Sequence, residues 1–419
     1  MHGEKKAGSS EKVSFFARLG GAEKKERPDK GNMDIMLLFL VALLLIFGIL
    51  MLFSASYPKS LNENQNSYEI IRGQIINLFI GIGVTAVMVF IGYERLRVLA
   101  WPAMLVAFAM LVVVLMMPEY NGARRWIRVE LPFGVFTFQP SEVAKFAIIL
   151  VFAAMLTGHR SRLNKARFGV APFMIVLGIA SALLLSEPHL SGTILVLGIG
   201  FFMMFAGGVP LRYLIAVLVV GMVAAWVVWT IRPSFLNHAF LRIEVFLDLE
   251  GASPDDARQA RQSLTAIGSG GVFGRGLGKS RQKHMYLPEM HNDYIFAILC
   301  EELGLVGAAC LIGLFLALLL RCLIISRRVN DRFGSLLVIG VAVQITLQAM
   351  LHMAVNAHLI PATGISLPFF SDGGTALILQ MAEIGVVLSV SRRADLDSRA
   401  VVDEQEQMQL ETAASSAGL

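Results

Sequence analysis

The chain has 419 residues, of which 56% are hydrophobic, and a formal net charge of +5. A water-soluble domain is about 45 to 50% apolar, so this composition excludes an ordinary soluble fold. Apolar stretches of roughly 20 residues, the length that spans a bilayer as a helix, recur along the sequence. The composition therefore predicts an all-α polytopic membrane protein.

Ten transmembrane helices are predicted between two polar tails. The tails are residues 1–33, which are basic, and residues 392–419, so the membrane domain covers residues 34–391. The first apolar run follows the basic tail and is long enough to span, which predicts no cleavable signal peptide. The predicted spans are residues 34–54, 73–92, 98–117, 140–157, 169–186, 192–208, 211–231, 293–320, 335–356 and 373–391.

Lysine and arginine residues indicate the orientation of these helices. They accumulate in the first tail, in alternate loops and directly after the last span, as they do on the cytoplasmic side of membrane proteins. Both termini are therefore predicted in the cytoplasm, and residues 232–292 form a large extracytoplasmic loop between helices 7 and 8. Because insertion and anionic lipid explain these cations, the positive charge predicts no nucleic-acid partner.

Four polar segments fall on the outer side of this topology, which points to one site at the water–lipid boundary. Arg124, Arg125 and Arg128 stand there against the charge rule, so we expect them to serve binding. The segments are Asn121–Glu130, Glu187–Thr193, Leu287–Phe296 and Ile360–Ala376.

Two ionisable residues begin the fourth span. Glu142 and Lys145 are three residues apart and share one helical face. Ionisable groups at membrane depth are costly and usually face a cavity or a partner. A purely structural ion pair is one interpretation, and a pair that faces a substrate is the one we prefer. Of Glu301 and Glu302, in the eighth span, at least one is expected to point into the protein.

Asp293 stands where the large loop turns into the eighth helix. A carboxylate there either caps the helix amides or accepts a proton from a bound hydroxyl. Glu289 and His291 precede it, and this polar company favours the second role.

The glycine-rich run at residues 268–278 resembles a phosphate-binding loop but departs from its spacing. The position five before Gly278 is Phe273 instead of glycine, so we predict no nucleotide. The run instead predicts a backbone that approaches a ligand closely, and the alternative is a solvated basic loop at lipid head groups. Four cations accompany it as donors for phosphate: Arg275, Lys279, Arg281 and Lys283.

The chain resembles the SEDS family, the RodA and FtsW proteins of bacterial elongation and division, over residues 34–391. The resemblance implies ten transmembrane helices and a peptidoglycan glycosyltransferase of the bacterial cytoplasmic membrane. It implies lipid II and a glycan linked to undecaprenyl pyrophosphate as substrates, and a class B penicillin-binding protein as partner. It is carried, in the family's order, by GARRWI, FQPSEVAKFAIIL, SEPHLSGT, LPEMHNDYIFAILCEELGLVG and TGISLPFFSDGGTALI.

The same resemblance implies roles for individual residues. The family's essential aspartate falls on Asp293, which would be the catalytic residue. Two departures are Asp372 in the last motif and His352, where the family has asparagine. The predicted substrate-binding residues, from resemblance and from charge together, are Arg124, Arg125, Trp126, Gln139, Ser141, Glu142, Lys145, Lys283, Glu289, His291 and Ser371.

The predicted reaction is a glycosyl transfer in which a sugar hydroxyl attacks the anomeric carbon of a chain still attached to undecaprenyl pyrophosphate. It needs a base near the hydroxyl and positive charge near the leaving group. Asp293 would supply the base, and Arg124, Arg125, Lys145, loop cations or a divalent cation (Mg²⁺ or Mn²⁺) would supply the charge.

Two alternatives to this enzyme are a flippase for a lipid-linked precursor and a scaffold without catalysis. Carriers bind near the membrane midplane, whereas the ionisable clusters here lie at outer helix ends. A scaffold predicts that Asp293→Ala is silent in cells.

Overall fold

The computed structural model describes residues 31–64, 68–119, 124–131, 134–158, 163, 165, 169–231, 241–283 and 291–416. Among the described residues, seven helices are long and apolar enough to cross a membrane, and three shorter apolar helices accompany them. The protein is therefore a polytopic α-helical membrane protein, as its composition predicts.

The apolar helices coincide with the ten predicted spans. An amphipathic helix, α8, lies within the predicted large loop. In chain order the helices are α1 (Ile35–Asn64), α2 (Glu69–Ile91), α3 (Tyr93–Val114), α4 (Pro140–Gly158), α5 (Ala171–Ser186), α6 (Leu190–Ala206), α7 (Leu211–Ile231), α8 (Pro254–Gly270), α9 (Ile295–Arg328), α10 (Arg332–Asn356) and α11 (Gly374–Ser416).

Two features depart from the sequence-based expectation. Helix α11 continues to Ser416, although we expected a solvated tail after the last span; the tail sequence holds many good helix formers. A β-hairpin stands before α4, formed by β1 (Ile127–Leu131) and β2 (Gly134–Phe138), with Ile127 opposite Phe138. The alternation of β-branched and polar residues in β1 was the available signal for the hairpin.

The bundle has two distinct ends. At one end the start of α1 meets the segment after residue 391, where the Asn32 amide donates to Asp395 at 2.8 Å. The same end holds an ion pair, with Arg321 Nη2 2.6 Å from Asp34 Oδ2. At the opposite end α4, α6, α9 and α11 begin and α10 ends. That opposite end carries the polar segments singled out in the sequence.

Helices α4, α10 and α11 form the centre of the bundle. Within their apolar spans 78%, 61% and 83% of residues are buried inside the protein, against 11% for α2 at the periphery. A polar side chain near the start of α4 or α11 therefore faces protein rather than lipid.

Helix α9 is broken at Gly304, which has φ +65°. The break leaves backbone groups without helical partners, and the glycine-rich loop after α8 binds them. A Cβ on Gly304 would lie 2.3 Å from the nitrogen of Gly274, so this approach requires glycine. The hydrogen bonds run from Arg275 N to Glu301 O (3.0 Å), Gly276 N to Glu302 O (2.9 Å), Leu305 N to Gly271 O (2.9 Å) and Val306 N to Val272 O (3.1 Å).

The glycine run was predicted to approach a ligand. Close backbone approach is indeed its role, but its partner is the broken helix α9. The prediction was wrong about the partner because the helix break at Gly304 lies far downstream in sequence and leaves no mark on the loop's own residues.

Candidate active site

A cavity of about 280 Å³, which we call the first cavity, lies at the end of the bundle where α4, α6, α9 and α11 begin. Side chains from the segment before β1, from α4, from α6 and from the loops before α9 and α11 line it. The structure brings together seven of the predicted site residues there, which are Arg125, Trp126, Gln139, Ser141, Glu142, Lys145 and Asp293.

Arg124 and Lys283 do not reach the first cavity. Arg124 turns back towards the end of α3, where its Nη2 lies 3.1 Å from Glu119 Oε1. Lys283 is buried, and its Nζ lies 2.9 Å from Oε1 of Glu302, which also accepts from Ser54. Each of these two cations is held by a nearer carboxylate, so the structure does not bring either to the first cavity.

His291 and Ser371 are buried beside the first cavity without lining it. The Ser371 hydroxyl donates to the carbonyl of Asn292 at 2.7 Å and accepts from the Leu367 amide at 2.8 Å. Ser371 thereby fixes the loop before α9 against the loop before α11, so its part is positioning rather than contact. Glu289 lies outside the described residues.

Glu142 and Lys145, at the start of α4, fit both the structural and the substrate-facing interpretation. Lys145 Nζ is 2.8 Å from Glu142 Oε1 and donates to Gln348 Oε1 at 2.9 Å. Both side chains of the pair are buried, and both line the first cavity. Glu142 and Lys145 therefore form a structural ion pair that also faces the site. Glu301 and Glu302, the other ionisable pair, are both buried and anchor the loop ahead of α9.

The backbone of Asp293 is fixed by a hydrogen bond, and the residue lines the first cavity. Its carbonyl accepts from Asn356 Nδ2 at 2.9 Å. The N-cap of α9 is the next residue, Tyr294, which makes no side-chain cap hydrogen bond. A Cβ on Gly364, at φ +66°, would lie 3.3 Å from Asp293 Oδ2, so glycine leaves the carboxylate room. The N-cap position of α9 thus falls on Tyr294 rather than on Asp293, and Asp293 lines the first cavity.

Sequence reasoning missed several residues that line the first cavity. Arg242 belongs to a helical stretch at 241–247, and a lone arginine in that amphipathic run was its only signal. His189 and Ser191 lie in a segment that was singled out without assigning its residues. Gln348 is a glutamine within the apolar helix α10, which is itself a sign of an interior polar contact.

The departure at His352 has a structural explanation. The ring of His352 is buried, and its Nδ1 lies 2.6 Å from the carbonyl of Ile365. This contact ties α10 to the loop that carries Gly364. Asp372, the other departure, lines the first cavity itself.

The electrostatic setting of the first cavity is cationic and partly desolvated. Burial and the neighbouring Arg242 lower the pKa of Arg125, whereas Asp293 and Glu187 oppose that shift. Burial raises the pKa of Glu187 to about 8, against the opposing effect of Arg125. Burial, with Arg125, Lys145 and Arg242, lowers the pKa of His189 well below its usual value. Near neutral pH, His189 and most of Glu187 are therefore uncharged.

This arrangement suits a ligand that carries both a hydroxyl and negative charge. A carboxylate faces two guanidinium groups across a cavity, and a buried ammonium–carboxylate pair lies on its wall. Among the described residues, no group of three His, Cys, Asp or Glu side chains could hold a metal ion.

The fold and the cavity define a polytopic membrane protein with a polar site at one end of its bundle. Residues 34–396 match the FtsW/RodA/SpoVE family, described as cell cycle proteins, and the chain belongs to this family. It is 34% identical over 367 residues to the probable peptidoglycan glycosyltransferase FtsW of Geobacter sp. strain M18, covering 86% of this chain and 97% of that one. It is 35% identical over 370 residues to the stage V sporulation protein E of Bacillus subtilis, covering 87% and 98%.

The solved structures that are similar to this chain include two that cover 86% of it. One belongs to a peptidoglycan synthase complex that coordinates polymerisation and crosslinking; the TM-score is 0.71 at 28% identity, covering 86% of this chain and 98% of that one. The other is the rod shape determining protein RodA of Thermus thermophilus, with a TM-score of 0.63 at 30% identity and coverage of 86% and 97%.

Proposed function

We propose that the protein is a peptidoglycan glycosyltransferase that polymerises lipid II at the outer face of the bacterial cytoplasmic membrane, in cell division or elongation. The observation that carries the proposal is the first cavity, where Asp293 faces Arg125 and Arg242 beside the Glu142–Lys145 pair. The curated names of its relatives, which are 34 to 37% identical, support the same activity.

The proposed chemistry is a single displacement at the anomeric carbon of the growing chain. The acceptor hydroxyl gives its proton to the Asp293 carboxylate as its oxygen bonds to that carbon. The bond from the carbon to the diphosphate oxygen breaks, and its electron pair leaves with the diphosphate. Arg125 and Arg242 stabilise the charge that develops there, and a partly desolvated cavity strengthens this effect. Asp293 then releases its proton to solvent.

Sidedness follows from the two ends of the bundle. Basic residues, including Arg327 and Arg328, close the end of α9 that lies opposite the first cavity. Lysine and arginine are enriched on the cytoplasmic side of membrane proteins. We therefore assign that end, with both chain termini, to the cytoplasm, and the first cavity to the outer face where lipid-linked sugars are polymerised.

The proposed protein partner is a class B penicillin-binding protein that crosslinks the product. The similar structure from a peptidoglycan synthase complex supports an assembly of this kind. A stable complex that copurifies from detergent-solubilised membranes is expected, and separate elution of the two proteins at micromolar concentration would contradict it.

A divalent cation enters the proposal only as a companion of the substrate. Mg²⁺ commonly binds through one or two carboxylates together with substrate phosphates, which needs no three-residue protein site. Polymerisation after chelation, and after Mg²⁺ or Mn²⁺ is restored, tests whether the diphosphate requires one.

The flippase alternative finds less support. Polar side chains do continue inward, since Gln344 Nε2 donates to Glu383 Oε1 at 2.6 Å inside the bundle. Both residues are buried, they bond to each other, and neither lines the first cavity. This pair lacks the accessible polar surface that a substrate path across the membrane requires.

Polymer formation by the purified protein tests the proposed function. The chain is incubated with fluorescent lipid II, alone and with its candidate penicillin-binding partner, and the products are resolved by size. Glycan polymers above the lipid II band are the expected result. If lipid II remains a monomer with every candidate partner while a known polymerase extends it in the same assay, the proposal is wrong.

A further inference from the structure

Asp293 lies between two cavities. A second cavity, also of about 280 Å³, lies beside the first, and the described residues that line both are Asp293, Arg242 and Gly364. The helical stretch at 241–247, helix α8, the end of α10 and the loops before α9 and α11 line it. One carboxylate therefore serves two compartments.

The walls of the two cavities differ in charge. The first cavity carries Arg125 and Lys145 as well as the shared Arg242. Among the described residues that line the second cavity, Arg242 is the one Lys or Arg, and much of the lining is apolar, as at Val245 and Val355. A diphosphate therefore belongs in the first cavity. The second suits a neutral ligand with both hydroxyl groups and apolar faces, because small-molecule sites combine apolar walls with a few polar groups.

Three polar side chains, Gln259, Tyr294 and His358, supply the hydrogen-bonding groups of the second cavity. The Tyr294 hydroxyl lies 3.4 Å from Gln259 Oε1 across its wall. Burial raises the pKa of Tyr294, so its phenol stays a donor. The His358 ring packs on Phe246 with centroids 5.2 Å apart, and its buried Nε2 has no hydrogen-bond partner among the described residues. A buried polar atom without a partner is costly unless a ligand or water binds it.

We propose that the second cavity binds the acceptor sugar of the glycosyl transfer, with Gln259, Tyr294 and His358 as its hydrogen-bonding groups. The inference rests on the proposed function and assigns its two substrates to separate compartments. The donor's diphosphate occupies the first cavity. The acceptor hydroxyl reaches the shared Asp293 from the other side, loses its proton to the carboxylate and bonds to the donor's anomeric carbon as the diphosphate leaves.

This placement fits the demands of a single displacement. The nucleophile and the leaving group must stand on opposite sides of the reacting carbon, with the base beside the nucleophile. Reacting atoms must be held about 3 to 3.5 Å apart. Two compartments joined at one carboxylate satisfy these demands, because each substrate can occupy its own compartment while both reach Asp293. The second cavity is also close to the lower limit of small-molecule sites, about 300 Å³, which suits a sugar unit rather than a chain.

Filling the second cavity tests the proposal. Ala362 lines it, and Ala362→Leu places a larger apolar side chain inside it. Ala86→Leu, on the exposed face of α2, is the matched control for adding the same atoms. Two soluble probes report on the compartments separately: the disaccharide–pentapeptide headgroup without lipid or diphosphate, and a short-chain polyprenyl diphosphate without sugar. Each is measured as an inhibitor of lipid II polymerisation and, for variants without activity, by direct binding to protein in nanodiscs.

We expect Ala362→Leu to weaken binding of the headgroup probe at least fivefold and to change binding of the polyprenyl diphosphate less than twofold. Arg125→Gln is expected to give the opposite pattern, and Gln259→Leu to resemble Ala362→Leu with a smaller effect. Ala86→Leu should match the unsubstituted protein. Equal effects of Ala362→Leu on the binding of both probes, or no effect on headgroup binding, would overturn the acceptor site. The proposed function would still stand if the unsubstituted protein polymerises lipid II. Absence of polymerisation by that protein would instead remove the function.

Discussion

The Nζ of Lys145 lies 2.8 Å from Oε1 of Glu142, with both residues almost fully buried on the wall of the first cavity. Gln348 accepts a further hydrogen bond from Lys145 and connects the pair to α10. A buried ion pair is costly to form, and the loss of one partner leaves an uncompensated charge. The pair therefore links the stability of the bundle to the shape of the site.

Removing either charge of this pair should destabilise the protein more than removing both. We expect Lys145→Met or Glu142→Gln alone to lower the free energy of unfolding by about 3 to 5 kcal/mol. The double variant should recover most of that loss, because no buried charge is left unpaired, yet it should not recover polymerisation. Thermal unfolding in detergent and lipid II turnover measure the two effects. Additive losses of stability in the double variant would show that the two charges do not interact.

Arg125 and Arg124 form a matched test of the cationic wall. Arg125 lines the first cavity, whereas Arg124 is exposed and bound to Glu119. We expect Arg125→Gln to lower kcat/KM by about 10²-fold, the usual effect of removing one donor that stabilises transition-state charge. Arg124→Gln should stay within about threefold, since exposed ion pairs contribute little. Initial rates over a range of lipid II concentrations decide the matter, and equal losses in both variants would contradict the assignment.

The broken helix α9 should tolerate no side chain at its break. Gly304→Ala forces a residue with a Cβ to φ +65° and drives that carbon against the Gly274 backbone. A loss of at least about 2 kcal/mol is expected. Gly268→Ala is the control: a Cβ there meets nothing within 4 Å in helix α8, and Ala should be neutral or stabilising by about 0.5 to 1 kcal/mol. Thermal unfolding of both variants is the measurement; a tolerated Gly304→Ala would refute the docked loop.

Burial of Glu187 predicts a pH-dependent penalty on stability. Its pKa is about 8 in the folded protein against an ordinary 4.5, so the folded state keeps a proton that the unfolded chain has lost. Where the folded state binds more protons, stability falls as pH rises, here between about 4.5 and 8. Glu187→Gln removes this dependence.

The melting temperature of Glu187→Gln minus that of the unsubstituted protein should therefore increase as pH rises from 5 to 9. Glu244→Gln, at an exposed carboxylate, is the control and should show a constant difference. A constant difference for Glu187→Gln as well would mean that Glu187 is ionised throughout, in contact with Arg125.

Local sequence patterns sufficed for the helices and for residues that share one helix. Apolar length predicts the ten spans, and a spacing of three predicts the Glu142–Lys145 pair. The sequence does not distinguish the neighbours Arg124 and Arg125. Arg124 turns back to the nearby Glu119, whereas Arg125 donates to the carbonyl of Pro188, which only the fold brings near. Lys283 was misassigned for the same reason, since its partner Glu302 becomes a neighbour only when the loop docks on α9.

Residues that reach the site from a distance were the least predictable. Arg242 stands in an amphipathic run, the helical stretch at 241–247, within the predicted large extracytoplasmic loop. Only the folding of that run over the loop before α9 brings its guanidinium to Asp293. The β-hairpin before α4 was missed because the whole chain is dominated by long helical apolar runs, against which five-residue strands give a weak signal.

Polymerisation by Asp293→Asn tests the central claim most directly. Asparagine keeps the shape of the side chain and removes the proton acceptor, so we expect glycan synthesis in the presence of the partner to fall at least 10²-fold. The melting temperature and insertion into membranes should be unchanged, and Glu250→Ala, at an exposed loop carboxylate, should polymerise normally. Asp293→Asn that makes glycan strands at the rate and length of the unsubstituted protein would contradict the assignment of Asp293 as the base.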